Sequence, residues 1–472
     1  AEALAMCEPE AIADFLDAYA LGIEHDAADL VALAHLETAL PIEPRLMQVE
    51  LPRTTGQLRQ AARAVRERSW TQPVIDTGAG LRSHLAPLHK PVLIFGPNNF
   101  PFAFNAVAGS DFASAIAARN PVIAKVHPSH PATSQRLAEL AHRALIDAGL
   151  PAQALQVLYH LDVELGLRLA GDARLGALAF TGSRTAGLAL KAAADAAGVP
   201  AYLELSSINP VFLLEGVLRE RGEALAQEFF ASCTMGVGQF CTNPGVVVVP
   251  RGPAGDAFVA AAAERFAQAP AGAMFSRGVV DHLQVSVASW REAGASVLGG
   301  GAPAQGEGYR VQPVLLGISA HAFVADARLR VEAFGPASLI VRVDGIDEAL
   351  DVARALEGNL TGTIYGNDDD HGAWRRLAAA LRPRVGRLID GRMPTGVAVS
   401  AAMNHGGPFP STGHPGFTSV GLPAAIRRFA ALHCYDHVRD AALPAELRDR
   451  NPGGLARCID GRWTTDDIGA PA

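Results

Sequence analysis

The chain has 472 residues, 49% of them hydrophobic, and a formal net charge of −8 at pH 7. This length exceeds what one compact core accommodates, so we expect two or three domains. The negative charge and the lack of a Lys/Arg-rich stripe exclude nucleic acid and anionic membrane surfaces as expected partners. Five widely spaced cysteines predict free thiols and a cytoplasmic protein, and no apolar run approaches the roughly 20 residues of a membrane span.

Apolar residues spaced by three and four positions predict helices within residues 1–70. The next stretch, 73–91, is rich in turn-forming residues and predicts a hairpin or a linker. Short apolar runs then alternate with helical patterns, among them 104–118 and 132–149. We predict five strands here, at 92–95, 122–126, 155–159, 177–180 and 201–205. This alternation is typical of a parallel sheet with helices on its faces.

A second alternating region predicts another α/β domain. Helical patterns at 255–269 and 347–356 lie between apolar runs that predict strands at 245–250, 337–343 and 362–366. Beyond residue 430 the chain returns to short extended pieces, which suit docking on another subunit.

The carboxyl ends of the first set of strands are the expected place for a ligand, because parallel sheets bind ligands there. One such end carries TGSRTAG, where Gly182 and Ser183 precede a predicted helix whose free N–H groups suit a phosphate. Neither a GxGxxG fingerprint nor a P-loop is present. Lys125 ends another predicted strand, and it either binds ribose or phosphate oxygens or is a surface lysine.

Four side chains are candidates for chemistry. Cys241 follows a glycine-rich run in GVGQFCTNPG, where it is either a nucleophilic thiolate or a loop cysteine without a role. Glu204, near a predicted strand end, is either a general base or an exposed charge. Asn99, after the strand at 92–95, is either an amide donor to an oxyanion or a turn residue. Glu332 in EAFGP, like Lys125, is either a ligand-binding residue or a surface charge.

The histidines do not predict a metal site. His127 and His130 lack nearby partners, and the spacing of His433, Cys434 and His437 does not match a zinc motif. Nor does any histidine stand in a recognisable relation to the candidate nucleophile, which disfavours a cysteine hydrolase. We therefore expect no metal.

Taken together, the motifs resemble one family. GPNNFP, VIAKVHPSH, FTGSRTAG, LELSSINP, GQFCTNPG and EAFGP occur in the order and approximate spacing of the aldehyde dehydrogenase superfamily, over essentially the whole chain. SINPVFLL, GQFCTNPG, HPSHPATS and RTTGQLR are most similar to the branch that contains 2,5-dioxopentanoate (α-ketoglutarate semialdehyde) dehydrogenases and NADP-linked fatty-aldehyde dehydrogenases.

The resemblance implies an α/β fold with two parallel-sheet domains, one Rossmann-like and one catalytic, plus a small oligomerisation element. It also implies a homodimer or homotetramer, and more N-terminal residues than this chain has. The implied parts are a cofactor domain (1–73 and 91–205), a catalytic domain (206–395), an oligomerisation element (74–90 and 430–472) and a return segment to the cofactor domain (396–429).

By position, the resemblance implies that Cys241 is the nucleophile, Glu204 the general base and Asn99 the oxyanion-binding amide. The aldehyde would be oxidised to an acid through a thiohemiacetal and a thioester on the cysteine. The implied cofactor-binding residues are Lys125, Gly182, Ser183, Glu332 and Phe334.

The cofactor preference follows from the position three residues after Lys125. NAD-preferring members of the family carry a glutamate there, whereas this chain has Pro128. Without that carboxylate a 2′-phosphate is not repelled, and Ser129 and His130 are its candidate contacts. We therefore expect NADP, with NAD as the alternative because no arginine is placed to hold the phosphate.

The substrate side is predicted to include the helix with RTTGQLRQ. Arg53 or Arg59 could bind the distal carboxylate of an acidic semialdehyde, or both could be surface charges. Alternatively, Phe100, Phe240 and Phe417 could line an apolar channel for longer aldehydes. A third interpretation is an inactive cofactor-binding or assembly homologue, which the intact cysteine, glutamate and asparagine disfavour.

Overall fold

Four β-sheets organise residues 1–469, the part of the chain that this computed structural model describes. The strands are β1 Val74–Asp76, β2 Leu81–Pro87, β3 Val92–Phe95, β4 Val122–Lys125, β5 Leu155–Leu158, β6 Ala177–Thr181, β7 Ala201–Glu204, β8 Val211–Leu213, β9 Val246–Pro250, β10 Gly272–Ala273, β11 Ser296–Gly300, β12 Arg310–Val311, β13 Val314–Ser319, β14 Ala337–Val343, β15 Asn359–Tyr365, β16 Val385–Asp390, β17 Ala430–Asp436, β18 Arg457–Ile459 and β19 Arg462–Thr464.

The α-helices pack around these sheets. They are α1 Glu2–Ala5, α2 Pro9–His25, α3 Ala27–Thr38, α4 Leu51–Arg66, α5 Ser110–Ala117, α6 Pro131–Asp147, α7 Val163–Ala170, α8 Arg184–Ala196, α9 Glu215–Thr234, α10 Pro253–Gln268, α11 Arg277–Glu292, α12 Ala320–Ala325, α13 Ile346–Ala355 and α14 His371–Leu381. In the described part of the chain, none of these helices has the length and apolar character needed to span a membrane.

The first sheet is parallel, with the strand order β5-β4-β3-β6-β7. Alternate residues of β3 enter different cores: Val92 and Ile94 pack with α2, α4, α5 and α6, while Leu93 packs with α7 and α8. Burial on both faces explains why these strands are continuous apolar runs. The strand order reverses between β3 and β6, so a ligand crevice is expected beyond their carboxyl ends.

The second sheet has seven strands in the order β11-β13-β14-β9-β8-β15-β16, all from residues 206–395. Only β11 runs antiparallel to its neighbour. Val246 and Val248 of β9 pack on one face, and Val247 and Val249 on the other. Two parallel sheets, each buried on both sides, confirm the predicted α/β fold class.

The third large sheet joins distant parts of the chain. Its order is β17-β2-β1-β18-β19, so the turn-rich stretch after residue 73 supplies two strands rather than a linker. β2 pairs with β17 along its full length, Leu81–Pro87. Leu432 and Trp463 of this sheet stay 70% and 64% exposed. Apolar side chains on an exposed sheet are consistent with docking on another subunit, which stays a prediction.

The helix predicted over 104–118 was wrong in its first part, because α5 begins only at Ser110. The preceding residues form turns, in which the Asn105 side chain donates to the Pro101 carbonyl at 2.8 Å. A Cβ on Gly109 would lie 2.6 Å from the backbone of Phe104, so only glycine permits this fold-back. The turns bring residues 99–104 to the carboxyl end of β3.

The segment 396–429 contains little regular structure but lies against the first sheet. Leu205 N–H donates to Ser411 O at 2.8 Å, and Gly413 N–H donates to Leu203 O at 3.1 Å. These bonds extend the edge of β7, and Glu204 forms an isolated bridge with Thr412. The segment therefore reaches the end of β7, where a candidate catalytic residue lies.

Candidate active site

The loop that carries Cys241 is shaped by close backbone contacts. Gly236 and Gly238 have φ of 55° and 66°, a region that favours glycine. A Cβ on Gly238 would also lie 2.3 Å from the Gly335 carbonyl group. Beyond the turn, Asn209 Nδ2 donates to the Cys241 carbonyl at 2.8 Å. The glycines therefore let the loop pass another segment, and the asparagine holds the cysteine at its end.

Cys241 meets a carboxylate and an imidazole. Glu204 ends β7, and its Oε1 lies 3.0 Å from His405 Nε2. The same Nε2 lies 3.4 Å from Cys241 Sγ. The other oxygen, Oε2, accepts a 3.0 Å hydrogen bond from Ser419 Oγ. Two predicted catalytic residues thus meet, together with a histidine and a serine that the sequence did not indicate.

This contact decides the protonation states of the pair. Burial by itself raises the pKa of Glu204, but the charge and hydrogen bond of His405 and the hydrogen bond of Ser419 outweigh it, and the net pKa is lowered. Burial and the Glu204 charge raise the pKa of the Cys241 thiol well above its ordinary value, against the opposing charge of Arg53. The resting site therefore holds an ionised carboxylate beside a thiol, which suits a base that removes the thiol proton.

Asn99 is buried close to the Cys241 loop. Its Nδ2 donates to Gln239 O at 3.0 Å, two residues before the nucleophile. An amide nitrogen carries two hydrogens, so one remains for an oxyanion. Arg45 Nη2 donates to the Asn99 carbonyl at 3.0 Å and also pairs with buried Glu50. Glu50 Oε1 in turn accepts from the backbone N–H groups of Phe102 and Ala103 at 2.8 and 3.0 Å, which braces the turn that carries Asn99.

Arg53 lies on the inner side of α4, among aromatic rings. Its guanidinium carbon is 4.8 Å from the Phe104 ring centroid and 5.5 Å from that of Phe100. Phe240 packs in the same cluster, with its centroid 5.6 Å from that of Phe100. Nε and Nη2 of Arg53 are buried without a hydrogen-bond partner among the described residues. Burial lowers the pKa of Arg53 to about 10, so it is still a cation at neutral pH.

Two of the residues predicted on the substrate side are not brought to this cluster. Arg59 points away from it and forms a two-pronged ion pair with Glu24, at 2.5 and 2.7 Å, because six residues of helix rotate it to another face of α4. Phe417 is buried against the guanidinium of Arg428, 5.1 Å from its carbon, rather than in the aromatic cluster around Phe100.

Along the end of the first sheet, several predicted cofactor residues present open polar groups. The Lys125 ammonium, whose pKa is lowered by burial, has no hydrogen-bond partner within residues 1–469. A Cβ on Gly182 would lie 2.7 Å from the Phe180 ring, so this turn is closely packed. Ser183 is the N-cap of α8, and its Oγ accepts from Ala186 N–H at 3.3 Å. The turn therefore leads straight into a helix N-terminus, which suits a diphosphate.

The remaining cofactor candidates are Glu332, Phe334 and Ser129. Burial raises the pKa of Glu332 to about 7, although Ser206 and the Ser207 backbone oppose that shift. Phe334 is half-buried in the same segment. Ser129 is half-buried as well, and its backbone N–H donates to His127 Nδ1 at 3.1 Å. An unpaired ammonium, a tight glycine turn before a helix and a carboxyl group fit the phosphates and riboses of a nicotinamide dinucleotide.

Four contributors were missed from the sequence: Arg45, Glu50, His405 and Ser419. Each reaches the site through a partner more than forty positions away, so no local pattern marked it. The sole signal was GGPFPSTG after His405, a glycine- and proline-rich stretch that ordinary turn chemistry also explains.

Comparison with known proteins identifies the family of the chain. The model of the aldehyde dehydrogenase family matches residues 1–409. Over 95% of its length the chain is 42% identical to α-ketoglutaric semialdehyde dehydrogenase 2 of Azospirillum brasilense, covering 87% of that protein. It is 35% identical over 96% of its length to α-ketoglutaric semialdehyde dehydrogenase of Acinetobacter baylyi, again covering 87%.

Solved structures show the same fold at low identity. Lactaldehyde dehydrogenase of Escherichia coli superposes with a TM-score of 0.78 at 22% identity, over 92% of this chain and 87% of that one. A 3,6-anhydro-L-galactose dehydrogenase gives a TM-score of 0.79 at 21% identity, over 92% and 88%. The family match, the relatives and the meeting of Cys241 with Glu204 lead to one conclusion: the chain belongs to the aldehyde dehydrogenase family and is an oxidoreductase that acts on aldehydes.

Proposed function

We propose that the enzyme oxidises 2,5-dioxopentanoate to 2-oxoglutarate. The observation that carries this proposal is Arg53, a half-buried residue whose charge acts on the Cys241 thiol and whose Nε and Nη2 are buried without a hydrogen-bond partner in the described part of the chain. A buried, unpaired guanidinium is costly unless a ligand pairs with it. A semialdehyde whose far end is a carboxylate supplies that partner. The two relatives named for α-ketoglutaric semialdehyde support the same substrate.

In this proposal the chain's own residues carry the proton and charge steps. Glu204 accepts the thiol proton while the Cys241 sulfur bonds to the aldehyde carbon. The Asn99 amide and the Cys241 N–H hold the resulting oxyanion. A bound nicotinamide cofactor supplies the hydride acceptor. Glu204 loses its proton and then deprotonates the water that releases the acid from the cysteine thioester.

NADP is the proposed cofactor, with NAD as the alternative. Pro128 offers no carboxylate to repel a 2′-phosphate, and the next residue, Ser129, is half-buried and carries a hydroxyl that could contact it. His130 does not support the proposal, because its Nε2 lies 3.0 Å from the Pro97 carbonyl and its ring is buried. Initial rates with both cofactors test the preference, and a strong preference for NAD would overturn it.

The substrate proposal is tested by pairing Arg53→Met with Arg59→Met. We expect Arg53→Met to lower kcat/KM for 2,5-dioxopentanoate by about 10- to 100-fold, the range of a lost charged hydrogen bond. Hexanal, which has no carboxylate, should lose much less, because Arg53 then acts only through its charge on the Cys241 thiol. Arg59→Met removes the same charge from the same helix and should leave kcat/KM unchanged for both aldehydes.

An equal loss with both aldehydes in Arg53→Met would reject the carboxylate role. A second candidate function, oxidation of long aliphatic aldehydes, is favoured by the aromatic cluster of Phe100, Phe104 and Phe240. It predicts that kcat/KM rises with chain length and that 2,5-dioxopentanoate is a poor substrate of the wild-type enzyme.

A further inference from the structure

Cys241, Glu204 and His405 bring a sulfur, an oxygen and a nitrogen atom together. Within residues 1–469 they are the one group of three or more Cys, His, Asp or Glu side chains whose donor atoms are close enough to hold a metal ion, all within 4.8 Å of one another. The three residues come from the Cys241 loop, the end of β7 and the segment 396–429. No sequence spacing could therefore indicate the group.

The two separations that start from His405 are close to those around a zinc ion, and the third, from the Glu204 oxygen to the Cys241 sulfur, is at most 4.8 Å. With Zn–N and Zn–O bonds of about 2.1 Å and a Zn–S bond of about 2.3 Å, a tetrahedral ion holds its nitrogen and oxygen ligands about 3.4 Å apart, and nitrogen and sulfur about 3.6 Å apart. The corresponding distances from His405 Nε2 are 3.0 Å to Glu204 Oε1 and 3.4 Å to Cys241 Sγ. Shifts of a few tenths of an ångström, within the reach of small torsion changes, make room for the ion.

Charge favours a dication at this point. A thiolate and a carboxylate side by side in a buried site repel each other, and one divalent ion neutralises both. Coordination also holds the sulfur in its deprotonated form. The charges of Arg53 and Arg387 also act on Cys241, and the guanidinium of Arg53 lies over the aromatic rings of Phe100 and Phe104.

The donor set selects the metal. Thiolate and imidazole ligands suit zinc and related transition metals, whereas magnesium and calcium take oxygen ligands. Ser419 Oγ bonds the other oxygen of Glu204 at 3.0 Å, which orients the carboxylate as an outer partner orients a metal ligand. Glu204 and His405 are only 2% and 1% exposed, but Cys241 is partly accessible, so an ion reaches the site from the sulfur side.

We propose that Cys241, Glu204 and His405 form an inhibitory site for a thiophilic divalent metal ion, above all Zn²⁺. The bound ion occupies the sulfur lone pair with which Cys241 attacks the aldehyde. It also occupies the Glu204 carboxylate that serves as the base. The thiol proton and the proton that His405 Nε2 holds toward Glu204 both leave on binding, because each ligand atom must offer a lone pair. Inhibition is therefore reversed by a chelator, and it does not depend on which aldehyde the enzyme oxidises.

Cobalt is the probe, because Co²⁺ takes the same ligands as Zn²⁺ and is coloured. We expect the chelator-treated full-length protein to bind one Co²⁺ per chain, with a sulfur-to-cobalt charge-transfer band in the near ultraviolet that Zn²⁺ abolishes. Cys241→Ser should lose the band. Cys434→Ser is the matched control, because Cys434 stands beside His433 and near His437 as the competing thiol site; it should keep the band. Ser419→Ala should weaken the affinity by about 10-fold.

Three results would overturn the proposal: no charge-transfer band in the wild-type protein, a band that persists in Cys241→Ser, or a band lost in Cys434→Ser. His405→Phe tests the third ligand, since an unchanged Co²⁺ affinity would remove the histidine from the site. Circular dichroism checks that each variant is folded. Because this experiment measures metal binding, a negative result does not bear on the aldehyde oxidation proposed above.

Discussion

The reaction side and the substrate side of the site differ in how their polar groups are satisfied. On the reaction side, Cys241, Glu204, His405 and Ser419 contact one another directly. On the substrate side, two buried nitrogen atoms of Arg53 lie among aromatic rings without a partner from residues 1–469. Paired groups hold their geometry before substrate arrives, whereas an unpaired cation awaits a ligand. Under the proposed function, the first side should therefore serve any aldehyde, and the second should distinguish between aldehydes.

Replacing the sulfur of Cys241 should cause the largest loss of activity. We expect Cys241→Ser to lower kcat by at least about 10³-fold, because a serine hydroxyl beside Glu204 is a much weaker nucleophile. The loss should be the same for an acidic and an aliphatic aldehyde, unlike the split expected for Arg53→Met. Steady-state formation of the reduced cofactor measures it, and a rate near that of the wild type would contradict the assignment.

Glu204→Gln tests the base in the later step. An amide cannot deprotonate water, so we expect turnover to fall by about 10²- to 10³-fold, the range for a lost general base. Stopped-flow measurements should still show a first burst of reduced cofactor, slower than in the wild type, because the cysteine can still lose its proton to solvent. A variant with unchanged turnover would show that Glu204 is not the base of thioester hydrolysis.

Removing His405 should have a smaller, pH-dependent effect. Because His405 lowers the pKa of Glu204 against burial, His405→Phe lets that pKa rise, and less carboxylate is ionised at neutral pH. For each unit by which the pKa of Glu204 exceeds the assay pH, the ionised fraction of this base falls about tenfold. We therefore expect kcat to fall most at low pH and to recover as the pH increases. The kcat–pH profile in the presence of a chelator measures this shift. His437→Phe, on the exposed surface, should leave the profile unchanged.

The sequence was sufficient for features that are local in the chain. Buried strands appear as continuous apolar runs, so the strand at 337–343 agrees with β14 residue for residue. Cys241, Glu204 and Asn99 each follow a recognisable turn or strand end, and the first two meet through His405.

Contacts between distant segments could not be predicted. Nothing in the sequence indicates that a segment with little regular structure extends the edge of β7 and so delivers His405 and Ser419 to Glu204. Arg53 and Arg59 of α4 show the same limit, because helical rotation alone cannot decide which face packs against the aromatic residues. Glu24 on the neighbouring helix settles the position of Arg59, and that partner is visible only in three dimensions.

The smallest expected effect lies on the cofactor side, at Glu332. Burial raises the pKa of this carboxyl to about 7, so it is mostly protonated at pH 6 and mostly ionised at pH 8. If its carboxylate accepts hydrogen bonds from a ribose, the KM for NADP should fall several-fold, and by at most about 10-fold, as the pH rises through 7. Glu332→Gln cannot ionise, so its KM should stay high and flat over that range. A wild-type KM that does not change between pH 6 and 8, or a variant that keeps the slope, would place the titrating group elsewhere.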